Sequence, residues 1–203
     1  MKIICIGRNY AKHAKELGNP IPEDLVFFLK PETALLPKRN PFFYPDFSKD
    51  VHYEVEIVIR ICQAGKHIAK RFAHKYFDQV GIGVDFTARD LQNMLKEKGL
   101  PWEKAKAFDS SAPLSAFKAI DNYKDIHKLN FRLDINGQTV QRGNTNQMIY
   151  TFEDIVAEVS KYMTLKKGDF IFTGTPAGVG QVKINDHLQA YIEDELMLDF
   201  NVK

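Results

Sequence analysis

Short apolar runs separated by polar breaks dominate the chain, and most of the runs have strand length. Residues 3–6 (IICI), 25–30 (LVFFLK) and 51–60 (VHYEVEIVIR) are rich in β-branched and aromatic residues and contain no Gly or Pro, which predicts strands. GIGVDF (81–86) predicts another, ending in an acid. In FRLDINGQTVQ (131–141), Asn136-Gly137 between alternating residues is the strongest short-range hairpin signal. The tail, residues 187–203, reads as two further strands.

Helical spacing is rarer. GRNYAKHAKELG (7–18) predicts a loop entering a short helix that stops at Gly18, and NPIPED (19–24) a turn. Residues 69–77 (AKRFAHKYF) have helical character, and 87–100 (TARDLQNMLKEKGL) predict an amphipathic helix closed by Gly99. Residues 151–165 predict a helix with Thr151 as N-cap and acids in its first turn. Residues 101–112 read as loop, and 166–180 as a turn, a strand and a glycine-rich loop. Strands outnumber helices and do not alternate with them, which argues against a doubly wound fold. The expected class is α+β, mostly β, in one domain spanning residues 1–203.

Composition narrows the partners. Across 203 residues, 28 basic and 26 acidic side chains leave a net charge of +2 with no dense basic block, so nucleic acid is not an expected partner. The two cysteines, Cys5 and Cys62, lie in apolar runs and read as buried thiols in a reducing compartment. The apolar stretch at the start, IICIG, is too short for a signal peptide or a membrane span, so a cytoplasmic protein is expected.

The run at 51–60 poses a chemical question. Period-two alternation turns Glu54 and Glu56 to one side and Tyr53, Val55 and Ile57 to the other. Two adjacent carboxylates repel, and three readings are open: solvated charges on an edge strand, a catalytic pair, or ligands of a hard cation. Asp85, at the end of GIGVD, is a candidate third ligand. Arg89 and Gln92 share one face of the next helix, where Arg89 could pair with a substrate carboxylate or, more plainly, with Asp90 or Glu97. His13 and Glu16 are spaced for a hydrogen bond that raises imidazole basicity. TGTPAGVG (173–180) can present backbone N–H groups to an anion but lacks a P-loop ending.

GRNYAKHAKELG, FLKPETA, HYEVEIVIR, GVDFTARDLQ, KGLPWEKAKAFDSSAPLS, LDINGQTVQRGNT and GDFIFTGTPAGVG together resemble the fumarylacetoacetate hydrolase family, from about residue 6 to the end. The likeness is to its short acylpyruvase and oxaloacetate decarboxylase branch. The resemblance implies a rolled mixed β-sheet with short flanking helices and a homodimer. It implies Mg²⁺ or Mn²⁺ on Glu54, Glu56 and Asp85. Lys106 would face a small 2-oxo acid substrate, Gly174, Thr175, Arg89 and Gln92 would line its pocket, and His13 with Glu16 would form a dyad on a lid helix. The activity implied is C–C bond cleavage of 2-oxo acids, by acylpyruvate hydrolysis or oxaloacetate decarboxylation through a pyruvate enolate. The alternatives are isomerisation or decarboxylation of 2-hydroxy-diene-dioates, or keto–enol tautomerisation of oxaloacetate. Trp102, Phe27, Phe28, Phe42 and Phe43 are expected in the core or the dimer interface.

Overall fold

The computed structural model describes residues 1–16 and 24–203, so the expected stop at Gly18 and most of the turn at 19–24 lie outside the described residues. A mixed six-stranded sheet runs in the order β2 (Val26–Lys30), β1 (Ile3–Gly7), β10 (Phe170–Phe172), β4 (Val55–Ile61), β5 (Phe77–Val84), β7 (Lys118–Ala119). Its β1 and β10 are parallel and its other neighbours antiparallel. A small sheet orders β11 (Gly180–Gln181), β3 (Val51–Tyr53) and β6 (Thr87–Ala88). A third, antiparallel sheet orders β13 (Glu195–Asn201), β12 (His187–Ile192), β8 (Asn130–Ile135) and β9 (Gln138–Asn144). The helices are short: α1 (Ala11–Glu16), α2 (Lys70–Ala73), α3 (Arg89–Glu97), α4 (Glu103–Lys106) and α5 (Phe152–Tyr162).

Local chemistry accounts for several of these elements. Asn136 and Gly137 take φ of 53° and 78°, the left-handed pair that a two-residue hairpin turn demands. Thr151 and Asp154 form a reciprocal capping box at the start of α5. In β12, Leu188, Ala190 and Ile192 point inward while their neighbours are half-buried, the alternation of a one-sided strand.

Four expectations are corrected. The run 51–60 is not one strand: β3 pairs with β6 and β11, β4 pairs with β5 and β10, and Glu54 stands at the changeover. There the Val55 amide donates to the Gln141 side chain rather than to a strand, over 2.9 Å. The segment 69–77 keeps only one helical turn, because Phe77 enters β5 opposite Ile61 and is buried there. The expected loop 101–112 contains the helical turn α4, which carries Lys106. Cys5 is buried, but Cys62 is only partly so.

The two faces of β4 divide the interior. Val55, Ile57, Ile59 and Ile61 join Val80, Ile82 and Val84 of β5 in the main core, which α5 covers with Phe152, Ile155, Val156 and Val159. Val58 looks the other way, into a small cluster with Ile3, Cys5 and Phe172. Glu56 shares the Val58 face. Each fully buried Ile contributes roughly 2 kcal/mol, and this core holds a set of costly charges at the end of the sheet.

Candidate active site

Glu54, Glu56 and Asp85 converge where β3 passes into β4, where β5 ends, and where the glycine-rich loop after β10 crosses them. They are 6%, 1% and 1% exposed, which excludes the solvated-strand reading. One carboxylate oxygen from each lies within 4.8 Å of the others. Three carboxylates that close together in a low-dielectric interior repel strongly.

The surrounding cations compensate unevenly. Lys106 Nζ bonds Glu54 Oε2 at 2.9 Å, Asp85 Oδ2 at 2.7 Å and Thr87 Oγ1 at 2.6 Å. Arg89 also pairs with Glu54. Burial alone would raise the Glu54 pKa, but the charges of Lys106 and then Arg89 outweigh it and hold the carboxyl well below its usual range. Glu56 has no such cation. Burial, then the charges of Asp85 and Glu54, push its carboxyl well above the usual range, and the Gly174 N–H, 2.7 Å away, opposes that only in part. Lys106 is buried too, yet Asp85 and Glu54 outweigh its desolvation and raise its pKa, so the ammonium stays charged.

One atom shows what this arrangement lacks. Asp85 Oδ1 is buried and accepts no hydrogen bond. Its partner is the Lys30 ammonium, 2.8 Å away in an ion pair, and Lys30 Nζ also lies within hydrogen-bond reach of Ser111 Oγ and of the carbonyls of Phe86, Lys106 and Ser111. A carboxylate oxygen held only by an ion pair, beside an under-neutralised Glu56, belongs to the donor set of a hard cation. Glu54, Glu56 and Asp85 together fit such an ion.

The remaining candidate residues gather around this centre. On α3, Arg89, Gln92 and Leu95 form the buried face, and Arg89 Nη1 donates to Gln92 Oε1 at 2.6 Å. Arg89 therefore pairs with Glu54 and Gln92, while Asp90 accepts from Ser48 and Lys49 instead. His13 lines the same cleft, and its Nδ1 is 3.3 Å from Glu16 Oε2. Burial lowers the imidazole pKa, with Glu54 and Glu16 pulling against it.

The glycine-rich loop does present N–H groups to anions, and these are the protein's own: Gly174 donates to Glu56, and Gly178 to both oxygens of Glu16 at 3.1 Å. Gly174 has φ +101°, and a Cβ there would lie 2.7 Å from that of Asn9, so only glycine fits. Thr175 lines the cleft, but its hydroxyl donates to Val55 O and accepts from Gln141.

Sequence reasoning missed Lys30, Thr87 and Gln141 at the centre, and Arg8 and Lys96 in the cleft wall. Phe28 and Trp102 also line the cleft rather than serving only as core, and Phe43 is exposed. A lysine ending the apolar run LVFFLK was the available signal for Lys30.

A mostly β scaffold that buries three convergent carboxylates beside a His–Glu pair and a charged lysine defines a metal-site enzyme class. The profile of the fumarylacetoacetate (FAA) hydrolase C-terminal family matches residues 2–201, and the chain belongs to the fumarylacetoacetate hydrolase family. It is 43% identical over 188 residues to the oxaloacetate tautomerase YcgM of Escherichia coli (strain K12), covering 92% of this chain and 86% of that one. It is 44% identical over 183 residues to a mitochondrial oxaloacetate decarboxylase of Dictyostelium discoideum, covering 90% and 84%. The fumarylpyruvate hydrolase of Pseudomonas aeruginosa, solved with Mn²⁺ and pyruvate, superposes with a TM-score of 0.94 at 34% identity, over 100% of this chain and 89% of that one. Among the described residues, no helix is long and apolar enough to cross a membrane.

Proposed function

We propose that the chain is a divalent-metal-dependent enzyme acting on small 2-oxo acids, cleaving a C–C bond in acylpyruvates and in oxaloacetate. The observation that carries this reading is the buried meeting of Glu54, Glu56 and Asp85, with Glu56 left without a cationic partner of its own among the described residues. Glu54, Glu56 and Asp85 would hold Mg²⁺ or Mn²⁺, which would supply Lewis acidity to the 2-oxo acid.

The chain's own groups do the rest. Burial keeps His13 neutral near neutral pH, so its imidazole can take a proton from water. Glu16 Oε2 faces Nδ1, and Glu16 is itself anchored by the Gly178 N–H. The water attacks the distal carbonyl of an acylpyruvate, the C–C bond breaks, and its electron pair passes into a pyruvate enolate. Oxaloacetate reaches the same enolate by losing CO₂, with no attacking water. The Lys106 ammonium opposes the negative charge that develops on the enolate oxygen. Arg89 and Gln92 present a polar face to the substrate.

A second reading, keto–enol tautomerisation of oxaloacetate, is favoured by the E. coli relative. It would use His13 to take a proton from C3 and return one to the C2 oxygen, giving the enol with no C–C bond broken. A homodimer belongs to the same proposal, supported by the groove lined by the half-buried Leu35, Leu36, Leu114, Phe117 and Phe170.

The test is turnover of acetylpyruvate and oxaloacetate by metal-stripped protein with Mg²⁺ or Mn²⁺ restored. Metal-dependent loss of acetylpyruvate establishes the hydrolase. Enol decay without pyruvate formation establishes the tautomerase. No reaction with either substrate refutes the proposal.

A further inference from the structure

We infer that Arg8 and Lys96 form a cationic rim on the active-site cleft that selects 2-oxo acids carrying a second, distal carboxylate. This inference rests on the 2-oxo acid reading above and adds its specificity element.

Both side chains line the cleft that contains the three carboxylates, and both are half-buried. They approach from different elements. Arg8 follows β1 with φ +60°, a left-handed conformation that a residue other than glycine adopts only when its surroundings enforce it. The next residue, Asn9, is anchored in the core. It is fully buried, and its side chain donates to Thr173 O at 2.8 Å and Tyr150 O at 3.0 Å while accepting from Tyr150 N at 2.7 Å. Lys96 stands one helical repeat beyond Arg89 on α3, on the Arg89–Gln92 side, with Nζ 5.6 Å from the centroid of Trp102.

Neither side chain makes a hydrogen bond or ion pair with any described residue. This sets them apart from Arg89, Lys106 and Lys30, each of which is matched to Glu54 or Asp85. The cleft lining thus holds Arg8, Arg89, Lys96 and Lys106 against three carboxylates, and a bound dication tips it further toward positive charge. Burial, followed by the like charges of Arg89 and Arg8, lowers the Lys96 pKa, and the Glu54 charge opposes this only in part. A ligand with one carboxylate leaves this rim unmatched, and a dianion satisfies it.

The experiment compares two probes with the same 2-oxo acid head: 2-oxoglutarate, a dianion, and 2-oxobutyrate, a monoanion. Binding to Mg²⁺-loaded protein is read by calorimetry and by the fluorescence of Trp102, the only tryptophan. Wild type should bind the dianion about tenfold more tightly. Arg8→Gln and Lys96→Gln should each reduce that preference, the double variant should abolish it, and Arg8→Lys should retain it. Equal binding of both probes by wild type overturns the rim, and so does a preference that survives in the double variant. Failure of both probes to bind overturns the 2-oxo acid reading itself, a different result from equal binding.

Discussion

Lys30 Nζ lies 2.8 Å from Asp85 Oδ1, and the two side chains are 0% and 2% exposed. The lysine reaches Asp85 from β2 while Lys106 reaches it from α4, so the carboxylate sits between two ammonium groups. Breaking a buried pair leaves a charge uncompensated, at a cost of roughly 3 kcal/mol. Lys30→Met should lower unfolding free energy by about that amount in chelator, measured by chemical denaturation. Mn²⁺ should recover much of the loss, because a bound dication neutralises the same carboxylate. An equal loss with and without Mn²⁺ would detach Lys30 from the metal site.

Lys106 bonds two of the three carboxylates that a cation would use. It therefore competes with the cation while serving the reaction. Lys106→Met should tighten Mn²⁺ binding in calorimetry and lower kcat for acetylpyruvate and oxaloacetate by about 10²-fold. Weaker Mn²⁺ binding would contradict the competition.

His13 is needed only where water must be activated. His13→Ala should lower acetylpyruvate hydrolysis by about 10²- to 10⁴-fold and oxaloacetate decarboxylation far less. Equal losses in the two assays would remove the water-activating role.

The raised pKa of Glu56 gives a pH dependence with a definite sign. In metal-free protein the folded state holds a proton that the unfolded chain releases nearer the ordinary carboxylate value of about 4.3. The stabilisation from that proton is complete below the unfolded value and is lost as pH rises through the raised folded one. A dication must expel the proton, so binding at mildly acidic pH should release it and weaken as pH falls. Calorimetry in buffers of different ionisation enthalpy measures this release, and Glu56→Gln should lack it. Identical release from the variant would assign the proton elsewhere.

Gly174→Ala puts a Cβ 2.7 Å from that of Asn9 at a φ of +101°. It should cost about 1–3 kcal/mol of stability and displace the N–H that Glu56 accepts, weakening Mn²⁺ binding. Unchanged denaturation and metal affinity would mean that the loop adapts without loss.

Much was legible in the chain alone, for local reasons. Asn136-Gly137 dictates its hairpin, Thr151 caps its helix, and apolar runs mark β1, β2, β4 and β5, because turn chemistry, capping and short-range periodicity need only near neighbours. Glu54 and Glu56 declare themselves by breaking an apolar pattern, and the order of motifs carries the family. Tertiary structure decided how those charges are held. By pattern Leu29 should be buried and Lys30 solvated, yet Leu29 is 41% exposed and Lys30 is 2% exposed. The reason is an ion pair between residues 55 positions apart, which local hydrophobicity does not encode. The same holds where β3 and β4 part at Glu54, because the choice of sheet partner depends on Gln141 and β5, remote in sequence. Which carboxylate keeps a proton, and which ones a lysine neutralises, follows from distances that only the folded chain creates.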